Sequence, residues 1–276
     1  MTYAVRSADV RFGQTLALND VSLLVEPGSV VAVVGGDGAG KTTLLRSLVG
    51  EVPLERGQVD APPAMAIGYL PATSGSWSAL TVAQNMDFVG GIYGLSGDAL
   101  ASRREELLDR AALQQSAGRL AAQLSGGMRR KLGFCMAMLH NPALLVLDEP
   151  STGIDPVSRV DLWRLVSEAA AAGAAVVMST TYLDEAERAA GLLVLDGGRM
   201  LAGGTLQEVL DSLDGTIART ATPDRRTWAW RRGRSYHEYW PATAQAPGDS
   251  VAVVPDLEDV VIALSLRRNH HSELAS

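Results

Sequence analysis

Gly35-Gly36-Asp37-Gly38-Ala39-Gly40-Lys41-Thr42 fits G-x-x-x-x-G-K-[ST], and the residues on either side give the pattern a mechanism. Val30-Val31-Ala32-Val33-Val34 before it is a short β-branched run that reads as a buried strand. Thr43-Leu44-Leu45-Arg46-Ser47-Leu48 after it reads as the first turns of a helix. Strand, glycine loop and helix N-terminus form a phosphate cradle, because glycines let backbone N–H groups converge on one anion at the positive end of a helix. In such a cradle Lys41 reaches the outer phosphates and the Thr42 hydroxyl holds Mg²⁺. The expectation is a nucleoside-triphosphate site running from Gly35 to Thr43.

Outward from the loop, Tyr3 to Pro27 alternates apolar and polar positions around Gly13 and Asn19-Asp20, as in an antiparallel β-layer. A looser segment rich in Pro, Gly and Ser runs from Val52 to Ser78. From Asp98 to Ala117, Leu100, Leu107, Leu108 and Ala111 or Ala112 share a face opposite Arg103, Arg104, Glu105 and Glu106, which predicts an amphipathic helix. Another begins at Ser125 and stops before Asn141-Pro142. Ala143 to Leu147 and Ala174 to Ser179 read as core strands. Between them Asp155-Pro156 supplies the N-cap and first-turn proline of a helix ending near Gly173. Tyr182 to Ala190 reads as a helix, Leu192 to Leu201 as a hairpin with a glycine turn, and Thr205-Leu206-Gln207-Glu208 as a capping box. This alternation predicts an α/β fold with a mainly parallel central sheet. Composition changes beyond Gly215, so a large domain at 1–214 and a small α+β appendage at 215–276 are expected.

At 276 residues and 47% hydrophobic the chain has ample material for a core, and a net charge of −7 gives no global reason to expect nucleic acid. The single cysteine, Cys135, sits in an apolar run and reads as a buried thiol, so no disulfide forms within the chain. The N-terminus has no signal pattern, and no apolar stretch approaches the ~20 residues of a membrane helix. Work at a membrane would therefore go through a partner, without direct insertion.

Leu145-Val146-Leu147-Asp148-Glu149-Pro150 is an apolar strand that delivers two carboxylates at its C-terminal end, where open α/β sheets bind ligands. In phosphate-loop ATPases the first carboxylate supports Mg²⁺ and the second polarises the attacking water. Leu124-Ser125-Gly126-Gly127-Met128 completes an ordered set of three motifs. With it the chain, over about residues 3 to 210, resembles the ATP-binding subunits of ABC transporters, most closely the first half of bacterial tandem ATPases of multidrug efflux pumps.

The resemblance implies a phosphate-loop ATPase with a helical signature subdomain at about 80–140. It implies that two ATPase domains pair head to tail, each ATP lying between one phosphate loop and the other domain's Ser125-Gly126-Gly127 equivalent. Phe12 matches the aromatic that stacks on adenine, the alternative being packing within the β-layer. Ser151-Thr152-Gly153-Ile154-Asp155 matches the loop that speaks across the dimer. Transmembrane permease subunits would dock between about Thr73 and Tyr93, including Trp77, Met86, Phe88 and Tyr93, and would hold the chain on the cytoplasmic face of the cell membrane.

Three departures stand against that pattern. Ala72 occupies the position of a glutamine that helps coordinate Mg²⁺ and water, and Thr181 that of a histidine that contacts the γ-phosphate. Asp37 adds negative charge where the family usually has asparagine. The expectation is a slow site of its own, with Glu149, Lys41 and Thr181 as its catalytic set, and a non-identical partner ATPase domain. A soluble ABC ATPase acting on ribosomes or nucleic acid, and a regulatory module that binds without hydrolysing, are the alternatives. Arg225 to Tyr236 is basic and aromatic; Trp228 and Trp230 suit one face of a strand, and His270-His271 an exposed tail.

Overall fold

A long antiparallel hairpin opens the chain, β1 (Tyr3–Phe12) and β2 (Thr15–Val25). β3 (Val30–Val34), buried along its whole length, leads through the glycine loop into α1 (Lys41–Leu48). β4 (Arg56–Asp60) returns to pair with β1, and β5 (Ile67–Leu70) enters a second sheet. Three helices follow: α2 (Val82–Ile92), α3 (Gly97–Arg110) and α4 (Gly126–Met138). β6 (Leu144–Leu147), α5 (Pro156–Ala171), β7 (Ala175–Thr180), the short α6 (Leu183–Ala186) and the hairpin β8 (Gly191–Asp196) and β9 (Arg199–Gly204) complete the second sheet. After α7 (Leu206–Asp211) come β10 (Thr216–Thr220), β11 (Ala229–Arg232), β12 (Ser235–Trp240), β13 (Val251–Val253) and α8 (Leu257–Leu274). This computed structural model describes residues 2–244, 246–248 and 250–274.

The central sheet runs β5-β6-β7-β3-β8-β9, parallel throughout except for β9. Its middle strands are apolar on both faces because both are covered. On one side Leu44, Leu45 and Leu48 of α1 and Leu18 and Val21 of the hairpin pack on Val33, Val146 and Val177. On the other, α2 to α5 and α7 pack on Val34, Leu145, Leu147 and Val176. Each such side chain contributes about 1.5–3 kcal/mol when fully buried. The four-stranded antiparallel sheet β11-β12-β10-β13 has a small core of its own around Ile217, Tyr239 and Ala263. Leu257, Val260 and Leu264 of α8 instead join the large cluster behind the central sheet.

Several expectations are corrected. The loose segment 52–78 contains both β4 and β5. β5 is a four-residue run interrupted by Gly68, too short to read as a strand. The helix expected over 98–117 ends at Arg110, because Ala112 turns left-handed at φ 55°. The helix expected over 182–190 closes after Ala186. Ala190 N–H donates to Val30 O at 2.9 Å and draws the chain into β8 beside β3. Trp228 lies in a 3₁₀ turn ahead of β11, yet it packs with Trp230 on the same small core. His270 is no loose tail: it belongs to α8 and its ring stacks on Trp228 at 4.2 Å. The side chain of His271 lies outside the described residues.

Candidate functional site

The site begins where β3 ends. Gly40, left-handed at φ 104°, caps α1 and turns the loop back over the helix N-terminus. Lys41 is almost fully buried beneath this loop, and its Nζ donates to Gly35 O at 2.8 Å and Gly36 O at 3.0 Å. The same ammonium lies 3.3 Å from Glu149 Oε1. A cavity of about 530 Å³ opens above it, walled by the segment Asp37 to Thr43, by Glu149, by Thr15 to Ala17, and by Gly197 and Gly198. Helix N-terminal N–H groups and a buried cation make this wall suited to an anion.

Carboxylates arrive from β6. Asp148 is buried, and its Oδ1 accepts a hydrogen bond from Ser179 Oγ at 2.7 Å. Glu149 N–H donates to that same hydroxyl at 2.8 Å, so one serine of β7 fixes both acids. Asp148 Oδ2 is buried with no hydrogen-bond partner. Burying a carboxylate oxygen unsatisfied is costly, and a divalent cation carried by phosphates and water fits the defect. Glu149 itself sits left-handed at φ 46°, a strain of about 1–3 kcal/mol that aims its carboxylate at Lys41. Burial, with help from Asp148, pushes the Tyr69 phenol up to about 12, so it stays neutral beside the acids. Among the described residues no group of three His, Cys, Asp or Glu side chains could hold a metal unaided.

Other expected residues stand apart from this cavity. Phe12 is 53% exposed and does not itself border the cavity; it pairs across the hairpin with Thr15, which does line the wall. Thr181 is exposed just beyond β7, and Ala72 is exposed beyond β5; neither is part of the wall. Gly35 and Gly36 act through their carbonyls on Lys41 rather than as wall. Ser125 caps α4 by accepting from Met128 N–H at 3.3 Å, and none of Ser125, Gly126 and Gly127 borders the cavity. Gly127 is tightly constrained: a Cβ there would lie 2.7 Å from Ser158 Oγ of α5. Met86, expected at a docking surface, is fully buried, whereas Trp77 and Phe88 are exposed and meet edge to face at 4.6 Å. Tyr93 stacks on His140.

Four contributions escaped sequence reasoning. Ser179 sits at a strand end beside that of Asp148, a position where strand-end logic could have found it. Gly197 and Gly198 read only as a hairpin turn. Arg130, two residues after Met128, donates to Pro71 O at 3.2 Å; burial pushes its pKa down while Glu149 and Asp148 oppose the shift. Glu185, buried, accepts from Ser151 Oγ at 2.6 Å and Thr180 Oγ1 at 2.9 Å and pairs with Arg159 at 3.0 Å. It ties the loop after Glu149 to the strand end that presents Thr181.

A family model described as "ABC transporter" matches residues 18–152. The Nod factor export ATP-binding protein I of Cupriavidus metallidurans is 35% identical over 225 residues, covering 77% of this chain and 74% of that protein. The chain belongs to the ATP-binding proteins of ABC transporters. A second ABC relative, the probable multidrug ABC transporter ATP-binding protein YbhF of Escherichia coli K12, is 35% identical over 209 residues, or 72% of this chain. The chain spans only 36% of YbhF's length. The daunorubicin resistance ATP-binding protein DrrA2 of Streptomyces coeruleorubidus is 36% identical over 217 residues, covering 74% of this chain and 67% of its own. A solved ATP-binding subunit of an ABC transporter superposes with a TM-score of 0.70 at 29% identity, over 76% of this chain and 92% of that one. No helix among the described residues of this ABC ATPase is long and apolar enough to cross a membrane.

Proposed function

We propose that this chain is the ATP-binding subunit of an ABC exporter, with a slow nucleotide site of its own and a signature that completes a faster one. One observation carries the reading. Lys41 and Glu149 meet at the phosphate loop and the adjacent Asp148 has an orphaned Oδ2, while Ala72 and Thr181 stand exposed where a glutamine and a histidine are expected. The phosphates of ATP take the N–H groups between Gly38 and Thr43, and Phe12 takes the adenine. Lys41 exchanges the Gly35 and Gly36 carbonyls for the outer phosphates. Mg²⁺, held through Thr42 and Asp148, neutralises phosphate charge when bound. Glu149, released from Lys41, orients a water and accepts its proton. Thr181 offers a hydroxyl without charge and Ala72 offers nothing. Losing one preorganised donor costs of order 2.7–4 kcal/mol, a hundredfold or more in rate.

Ser125, Gly126 and Gly127 lie outside this chain's cavity, which supports their serving a triphosphate carried by another ATPase domain. A solved dimer of the ATP-binding cassette MJ0796 with ADP and phosphate, at TM-score 0.67 and 22% identity, has the same fold. A homodimer of this chain would hold two impaired sites, so the partner is non-identical. Export is supported by the names of the relatives, which concern multidrug transport, Nod factor export and daunorubicin resistance. Separate transmembrane permease subunits dock beside Trp77 and Phe88 and hold residues 1–214, with the appendage 215–276, on the cytoplasmic face. Purified alone, the protein is expected to bind MgATP with almost no phosphate release. Rapid hydrolysis by a verified homodimer would overturn the asymmetry.

A further inference from the structure

The last helix of the chain reaches the back of the nucleotide cavity. α8 is anchored by Val260 and Leu264 in the large core, and one turn beyond Leu264 it presents Arg268 to the β8–β9 turn. Arg268 Nη1 lies 2.9 Å from Asp196 Oδ2, both side chains being more than two-thirds buried. Its guanidinium lies against Gly197, so closely that a Cβ on that residue would fall 2.7 Å from Arg268 Cζ. Gly197 at φ 46° and Gly198 at φ 75° make a turn that suits glycine alone. The turn is in contact with the phosphate loop on its other side. Gly198 N–H donates to Ala39 O at 2.9 Å, and Asn19 N–H donates to Gly198 O at 2.8 Å. Gly197 and Gly198 also form part of the cavity wall. An unbroken chain of contacts therefore runs from α8 through Arg268, Asp196 and Gly198 to Ala39, in the middle of the cradle.

We propose that Arg268 is a positioning residue for the nucleotide site: from α8 it holds the Gly197–Gly198 turn against the phosphate loop and so sets how tightly that loop grips a nucleoside triphosphate. The inference rests on the reading of the cavity as a nucleotide site. Arg268 does not itself line the cavity and meets its wall at Gly197, so its effect is indirect. It also neutralises Asp196, whose carboxylate would otherwise stand uncompensated near an anion-binding loop. The segment that follows α7 thereby becomes a control on affinity rather than a passive extension.

The test uses the full chain, a fluorescent ATP analogue with Mg²⁺, and amide hydrogen exchange. Arg268→Ala and Asp196→Ala each weaken analogue binding about three- to tenfold, within the range of coupling between contacting residues. The double variant is no worse than the weaker single one, and Arg268→Lys stays within about twofold of the parent. Exchange at the Gly198 amide quickens in Arg268→Ala, ahead of the strands of the central sheet. A parent that binds, beside an Arg268→Ala variant of unchanged affinity and lowered melting temperature, would reduce Arg268 to a structural contact and overturn the proposal. Additive losses in the double variant would overturn it too. A parent that fails to bind the analogue at all would instead sink the nucleotide reading, and this inference with it.

Discussion

Lys41 and Glu149 share one ion pair although they come from different strands' ends, and removing Glu149 would leave the buried ammonium with only the Gly35 and Gly36 carbonyls. Lys41→Ala is expected to weaken MgATP binding by about a hundredfold or more, read by equilibrium titration, because a buried charge-assisted contact to phosphate is lost. Thr181→His should do the opposite for chemistry. Restoring a donor at the exposed end of β7 is expected to raise phosphate release at least tenfold in the assembled pair, with KM nearly unchanged. No gain in turnover would mean that the missing histidine is not what slows this site. His140 gives a pH dependence. Its Nε2–H donates to Ile67 O at 3.1 Å, while Nδ1 is buried without a partner, and burial holds its pKa below the usual 6.5. The unfolded chain therefore takes up a proton first. Stability is full above about pH 6.5 and falls as pH drops through the folded value, so the urea midpoint should decrease across that window. His140→Gln should flatten the slope.

At the scale of elements, α4 is the most informative helix because three roles coincide on it. Ser125 caps it, Gly127 lets it approach α5, and Arg130 reaches the carbonyl of Pro71. Gly127→Ala would force a methyl group into Ser158 and is expected to cost about 1–3 kcal/mol in chemical denaturation. Much of this was legible beforehand. The β3–loop–α1 unit, the Ser125 cap, the Asp155-Pro156 start of α5 and the glycine hairpin all carry local signals that survive without tertiary context. β5 did not, because four residues with a central glycine become a strand only once β6 offers them a partner. Ser179, Glu185 and Arg130 were hidden for a related reason: each acts on a residue some 30 or more positions away, and no local pattern encodes that.

For the whole molecule, the proposed division of labour between two cassettes predicts unequal mutant effects. In the reconstituted pair, Ser125→Ala should depress phosphate release far more than Glu149→Gln, since on that proposal the first strikes the partner's faster site and the second only the slower one. Equal losses would show that the two sites share the work. Watching that pairing is made simpler by the lone thiol. Cys135 is 1% exposed, and burial pushes its pKa up to about 12, which leaves it inert at neutral pH. The native chain is thus a ready background for labelling: a cysteine introduced beside Ser125 would be the single reactive handle, and a dye attached there could report the closing of the two cassettes in real time without any prior cysteine removal.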